Sequence, residues 1–144
     1  MITHFDHVTI VVADVEAAKQ FFALLGFEED QSVTISGAQF STYMGVDGIE
    51  AEHHTLVLRG SAPRQEVQLL KYLHPAAMPN ANLTTLRELG FNHICFAVDD
   101  IVTEVRRLRA NGVETRNEIM DFHDRKLVFL RGPEGITVEL AQWL

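Results

Sequence analysis

The sequence predicts an α+β fold made of two βαβββ modules in a pseudo-twofold arrangement, forming a curved mixed sheet around a cup. Three duplications predict it: a first strand, a helix start and stop, and a last strand. The segment Phe5-Asp6-His7-Val8-Thr9-Ile10-Val11-Val12-Ala13-Asp14 has a near twin in Phe91-Asn92-His93-Ile94-Cys95-Phe96-Ala97-Val98-Asp99-Asp100, shifted by 86 positions. The same shift carries Asp14 onto Asp100 and Gly26 onto Gly112. Further on, Val67-Gln68-Leu69-Leu70-Lys71-Tyr72-Leu73 repeats as Val138-Glu139-Leu140-Ala141-Gln142-Trp143-Leu144 with a shift of 71, each copy preceded by a Leu-Arg-Gly triplet (Leu58 to Gly60, Leu130 to Gly132). The drop in shift means that the first copy carries about fifteen more residues, which belong at Ser36 to Glu50.

Each module reads in the same order. A strand of alternating and β-branched residues comes first. Asp14 or Asp100 then stands at the N-cap, where its carboxylate accepts amide protons of the first helical turn. In the second module Ile101, Val105 and Leu108 have helical spacing, and each helix ends at a glycine, Gly26 or Gly112, suited to the left-handed conformation past a helix end. Three strands complete each module: about Glu28 to Ile35, His53 to Arg59 and Glu66 to Leu73 in the first, and Glu114 to Met120, Lys126 to Arg131 and Thr137 to Trp143 in the second. The chain is thus expected to be one domain over 1–144, with module 1 at about 3–73, a connector at about 74–90 and module 2 at about 91–144. The connector carries Pro75 and Pro79 and a short helix is expected from Leu83 to Leu89.

Composition narrows the function classes. With 47% apolar residues in 144, the chain can bury a core without staples. A net charge of -8 without a basic stripe argues against nucleic acid as a partner. One cysteine, Cys95, cannot close an internal disulfide, and no targeting segment is legible before Asp6, so a cytoplasmic location is expected. No apolar run reaches the roughly 20 residues that span a bilayer, so no membrane association is expected.

Four residues stand out through the repeat. Side chains alternate along a strand, so Val8, Ile10 and Val12 form an apolar face for the helix and His7 falls on the opposite, cup-like face. The 86-residue shift puts His93 on the matching face of its own module, together with Cys95, and Gln68 and Glu139 hold matching positions on the two last strands. If the modules pack as expected, His7, Gln68, His93 and Glu139 gather around one divalent metal ion. Two imidazoles, an amide oxygen and a carboxylate suit cobalt, nickel, zinc, manganese or iron. Such a site leaves positions for a small-molecule substrate with chelating oxygens. Gln68 has a second reading as an uncoordinated polar residue, which leaves His7, His93 and Glu139 as a two-histidine, one-carboxylate triad. Glu52 and His54 share a strand face, and His54 is a candidate general base. His4, His74 and His123 have no repeat partner and read as surface residues. The Ser36 to Glu50 segment, with Phe40, Tyr43 and Met44 among glycines, reads as a substrate-covering lid or a loop with a short helix.

At Asp6-His7-Val8, Asn92-His93-Ile94 and Gly135-Ile136-Thr137-Val138-Glu139-Leu140 the chain resembles the vicinal-oxygen-chelate superfamily of glyoxalase I, methylmalonyl-CoA epimerase, extradiol dioxygenases and resistance proteins. The resemblance covers nearly the whole chain, and the His, Gln, His, Glu set is most similar to that of the epimerase. It departs from the epimerases near the end, where Asp124-Arg125-Lys126 and Arg131-Gly132-Pro133 replace their glycine-rich approach and His-Pro-Lys turn. The resemblance implies a homodimer and a metal-dependent epimerase or isomerase of the glyoxalase type. Glu139 and His54 are then the expected proton carriers, taking a proton beside a carbonyl and returning it. The alternatives are a ferrous extradiol-type ring-cleaving dioxygenase using His7, His93 and Glu139, and a metal-free small-molecule binding protein.

Overall fold

A computed structural model describes all residues 1–144, and the chain divides between Pro79 and Asn80 into two units. The first contains β1 (His7–Val11), α1 (Val15–Leu24), β2 (Phe27–Ser36), α2 (Ala38–Met44), β3 (Glu50–Leu58) and β4 (Glu66–His74). The second contains β5 (Ile94–Ala97), α3 (Ile101–Ala110), β6 (Met120–Phe122), β7 (Arg125–Arg131) and β8 (Thr137–Trp143). Each forms a four-stranded mixed sheet of the same order, β1-β4-β3-β2 and β5-β8-β7-β6, with its first and last strands parallel. The α+β class and the two βαβββ modules are therefore as the sequence predicts.

The helices form where their caps allow. Asp14 Oδ1 accepts from the Ala17 amide at 2.9 Å, and Asp100 Oδ1 accepts from Val102 and Thr103 at 3.1 Å each. Past the helix ends, Gly26 at φ +94° and Gly112 at φ +85° turn the chain back, in a region where a side chain would be strained. In the first unit Val15, Ala18 and Phe22 of α1 are buried, as are Ile10, Val12, Val67 and Leu69 of the sheet and its border. Phe22 meets Phe27 edge to face, with centroids 5.8 Å apart. In the second, Ile101, Val105 and Leu108 of α3 are buried, as are Val128, Leu130, Val138 and Leu140 of the sheet. Each such side chain contributes roughly 1.5–3 kcal/mol through removal from water.

Two expectations change. The strand expected at Glu114 to Met120 is reduced to a single bridge, Thr115 to Leu130, followed by the short β6. The ladder breaks because the Asn117 side-chain oxygen, rather than a main-chain carbonyl, accepts the Phe129 amide at 2.8 Å. The helix expected from Leu83 to Leu89 does not form. The backbone makes isolated turns from Asn80 to Leu83 and Asn82 to Thr85, and the carbonyls of Thr84 and Leu86 accept from Arg116 and Asn92 instead of from helix amides. The extra Ser36 to Glu50 segment contains α2, in keeping with the expected loop with a short helix, and the residues of α2 are all at least partly exposed. Its far end inserts Ile49, 2% exposed, into a cluster with Ile35, Ala51 and Leu70. No helix is long and apolar enough to cross a membrane.

Candidate metal centre

In the first unit the face of the sheet away from α1 carries the polar residues. Register places Thr9 opposite Gln68 and His7 opposite Glu66 on the parallel pair β1 and β4, so these side chains share one face, and Thr55 on β3 lies across from Gln68. The Gln68 amide is fixed in direction. Its Nε2 donates to Glu66 Oε2 at 2.8 Å, and since a carboxylate only accepts, the other end of the amide must be the oxygen. That oxygen accepts from His53 Nε2 at 3.0 Å and from Thr9 Oγ1 at 3.3 Å. Burial acts to raise the Glu66 carboxyl, but the hydrogen bonds from Gln68 and Arg64 outweigh it and hold the group below its ordinary value. Glu66 thus stays an acceptor.

His7 is held in the same spirit. Its Nδ1 donates to Asp6 Oδ2 at 2.6 Å, and this bond holds the Asp6 carboxyl below its usual range. With Nδ1 as the donor, Nε2 is the ring atom that can turn a lone pair to a cation. Asp6, His7 and Glu66 also bring ligand-type atoms within 4.8 Å of one another.

The second unit repeats the device with an amide. Asn92 Nδ2 donates to the Leu86 carbonyl at 2.8 Å, which leaves Asn92 Oδ1 to face His93 Nδ1 at 2.7 Å. An amide oxygen only accepts, so His93 Nδ1 carries the proton. His93 Nε2 lies 3.0 Å from Glu139 Oε2. Two arrangements satisfy this contact: a proton on Nε2, which makes it an ion-paired hydrogen bond, or a metal ion that takes a lone pair from each atom. Cys95 pairs across from Glu139, as Thr9 pairs across from Gln68. Burial, and then the hydrogen bond to Glu139, push the Cys95 thiol up to about 12, so it is protonated at neutral pH and is a poor nucleophile.

The sequence-predicted residues therefore fall on two faces: His7 and Gln68 on one sheet, His93 with Glu139 on the other. His54 does not join either. It pairs with Leu69 rather than Gln68 and so points to the α1 side of its sheet. There it is buried, with Nδ1 3.4 Å from Glu29 and Nε2 3.2 Å from Glu52, while Lys19 of α1 bonds Glu29 at 2.9 Å. The role of base expected for His54 does not fit this position. His53, one residue earlier, is the imidazole on the Gln68 face. Asp6 and Asn92 escaped the sequence reading too, although the 86-residue shift superposes them and both carry an oxygen that can hold the following histidine.

In the second unit the donor set, His93 Nε2 with a Glu139 oxygen, fits a divalent metal ion; in the first, His7 Nε2 fits one, and the Gln68 oxygen joins only by releasing a hydrogen bond from His53 or Thr9. Each imidazole has its second nitrogen hydrogen-bonded, which is the usual support of a metal-ligating histidine.

Comparison with known proteins places these faces in context. The chain is 28% identical over 148 residues to an ethylmalonyl-CoA/methylmalonyl-CoA epimerase of Cereibacter sphaeroides, covering 99% of both chains. It is 35% identical over 54 residues to a glyoxalase I of Saccharomyces cerevisiae, a match that covers 38% of this chain and 17% of the yeast protein. A solved glyoxalase family protein of Bacillus cereus has a TM-score of 0.88 at 26% identity, covering 100% of this chain and 96% of that one. Members of the same superfamily bind a divalent metal ion, and they include lyases and epimerases as well as resistance proteins. With residues 4–140 matching its family profile, the chain belongs to the Glyoxalase/Bleomycin resistance protein/Dioxygenase superfamily.

Proposed function

We propose that the protein is a metal-dependent epimerase or isomerase whose divalent-ion ligands are drawn from His7, Gln68, His93 and Glu139. The observation that carries this reading is the His93 to Glu139 approach of 3.0 Å, made by a ring whose Nδ1 proton is committed to Asn92. A divalent ion in this donor set supplies positive charge that polarises a substrate carbonyl and stabilises negative charge developing on its oxygen.

The side chains carry the proton. The Glu139 carboxylate accepts it from the carbon next to the carbonyl. His53, on the Gln68 face, is the donor that returns a proton to the carbon from its imidazolium form, after which Glu139 loses its proton to solvent and His53 regains one from it. Removal by one group and return by another inverts or relocates the centre. His53 takes this part in place of His54, because only His53 shares a face with Gln68.

Elemental analysis of protein purified without chelator, joined to solvent-deuterium exchange into 2-oxo acids and thioesters, tests the reading. The expected result is one divalent ion per chain and exchange that stops on chelation. Ferrous iron with oxygen uptake on a catechol, and no exchange, would establish the ring-cleaving alternative. A chain that takes up no metal yet binds small molecules would be a binding protein.

A further inference from the structure

The sheet face that carries His93 and Glu139 continues well beyond them. Along β8 the residues on that face are Glu139, Ala141 and Trp143, and their partners on β7 are Phe129, Leu127 and Arg125. Across the edge hairpin, Met120 and Phe122 of β6 pair with Leu127 and Arg125 and so share the face. Met120, Phe122 and Trp143 are 49%, 44% and 61% exposed. The opposite face is the buried one, with Val128, Leu130, Val138 and Leu140 at 0–1% exposure. The Glu139 face is thus an apolar strip, exposed at Met120, Phe122 and Trp143 and floored by the buried Ala141, with the His93 and Glu139 pair at one end and Arg125 at the other. Four residues of β8 separate the two ends, or about 13 Å along the strand.

Arg125 is held but not hydrogen-bonded. Its guanidinium carbon lies 4.7 Å from the centre of the Trp143 ring, its Nε is buried without a hydrogen-bond partner, and its nearest carboxylate oxygen, on the adjacent Asp124, is 4.0 Å away. Arg116, by contrast, spends its guanidinium on Thr137 and on the Thr84 carbonyl. A guanidinium pre-set over an aromatic ring, with its donors uncommitted, is a ready fork for a carboxylate. On a chain of net charge -8 an anion has little general attraction to rely on, so a placed cation decides where it binds.

We propose that Arg125 is a specificity-determining residue that takes the anionic end of the substrate. The substrate is then an acid with two ends: oxygens that meet the His93 and Glu139 end, a short apolar spacer over Leu127 and Ala141, and a carboxylate on Arg125. The assignment of the reacting end rests on the proposed function, whereas the anion subsite stands on Arg125 and Trp143 alone.

Trp143 is the sole tryptophan, so its fluorescence reports the subsite directly. Chelator-treated protein is titrated with hexanoate and with uncharged hexanamide, and nickel-loaded protein with 2-oxoadipate and with methyl-ended 2-oxohexanoate. In each pair the ligand with the extra carboxylate is expected to bind at least tenfold tighter. Arg125→Met, which keeps an apolar stem on the ring, should erase that preference without changing nickel uptake; Arg125→Lys should retain part of it. Equal binding of hexanoate and hexanamide by the unaltered protein, or a preference that survives Arg125→Met, overturns the proposal. Absence of nickel uptake with the hexanoate preference intact defeats the metal reading and leaves the subsite standing.

Discussion

His93 Nε2 stands 3.0 Å from Glu139 Oε2, while the other nitrogen of the same ring donates to Asn92. A metal ion bound by both atoms takes the place of the proton that otherwise bridges Nε2 and the carboxylate. If a metal ion is so bound, removing the negative charge should loosen it. Glu139→Gln is expected to abolish turnover and to weaken uptake of nickel or cobalt by at least about tenfold. Calorimetric metal titration checks it, and full affinity in the variant would remove Glu139 from the set.

The support behind the rings should matter nearly as much as the ligands. Asn92 is fixed by the Leu86 carbonyl and in turn fixes the tautomer of His93. Asn92→Ala should therefore lower metal affinity by about 10–100-fold with His93 still present, and Asp6→Ala should do the same through His7. A titration in which both variants match the unaltered protein would show that the two acceptors are incidental.

These acceptors mark the boundary of what the sequence made legible. The repeat carried the positions of His7, His93, Gln68 and Glu139 onto matching strands, because a duplicated strand preserves the parity of its side chains. It also contained Asp6 and Asn92 in register, but a residue that holds a ligand has no pattern of its own. The choice between His53 and His54 was not legible at all. Two adjacent histidines alternate by nature, and polar partners await both: Gln68 on one face, Glu29 and Glu52 on the other. Parity there depends on the pairing of β3 with β4, across a sheet that also contains an irregularity between Glu29 and Gln31. Arg125 was hidden for a similar reason, since only the register of β7 against β8 sets it opposite Trp143.

Acid should weaken the first unit through Glu29. The hydrogen bond from Lys19, helped by that from His54, holds the Glu29 carboxyl below its usual value. A carboxylate depressed in the folded state adds stability above its unfolded pKa. That contribution is lost as pH falls from the ordinary glutamate range through the lower folded value. Glu29 is 39% exposed, so solvent screens the pair and the effect is modest. Lys19→Met should flatten the acid limb of a thermal-stability profile by lowering stability modestly above about pH 6, where the pair contributes, and leaving the most acid end little changed. An identical acid limb in the two proteins would assign the loss to other carboxylates.

His53 and His54 give the sharpest separation between chemistry and architecture. His54 is buried, with a carboxylate at each ring nitrogen, so His54→Ala removes a partner from Glu52 and one of the two partners of Glu29, the other being Lys19, and leaves a cavity. A cost of about 1–3 kcal/mol in unfolding free energy is expected for the lost hydrogen bonds, with catalysis by the remaining folded protein largely intact. His53 lies on the open face and bonds Gln68, so His53→Ala should change stability little. If it donates the returning proton, kcat should fall by about 10²-fold or more while metal content holds. Equilibrium urea unfolding measures the first quantity, and kcat per bound ion the second. The reverse pattern, with His54→Ala stable but inactive and His53→Ala active, would return the proton-carrying role to the face that packs against α1 and so dissociate it from Gln68.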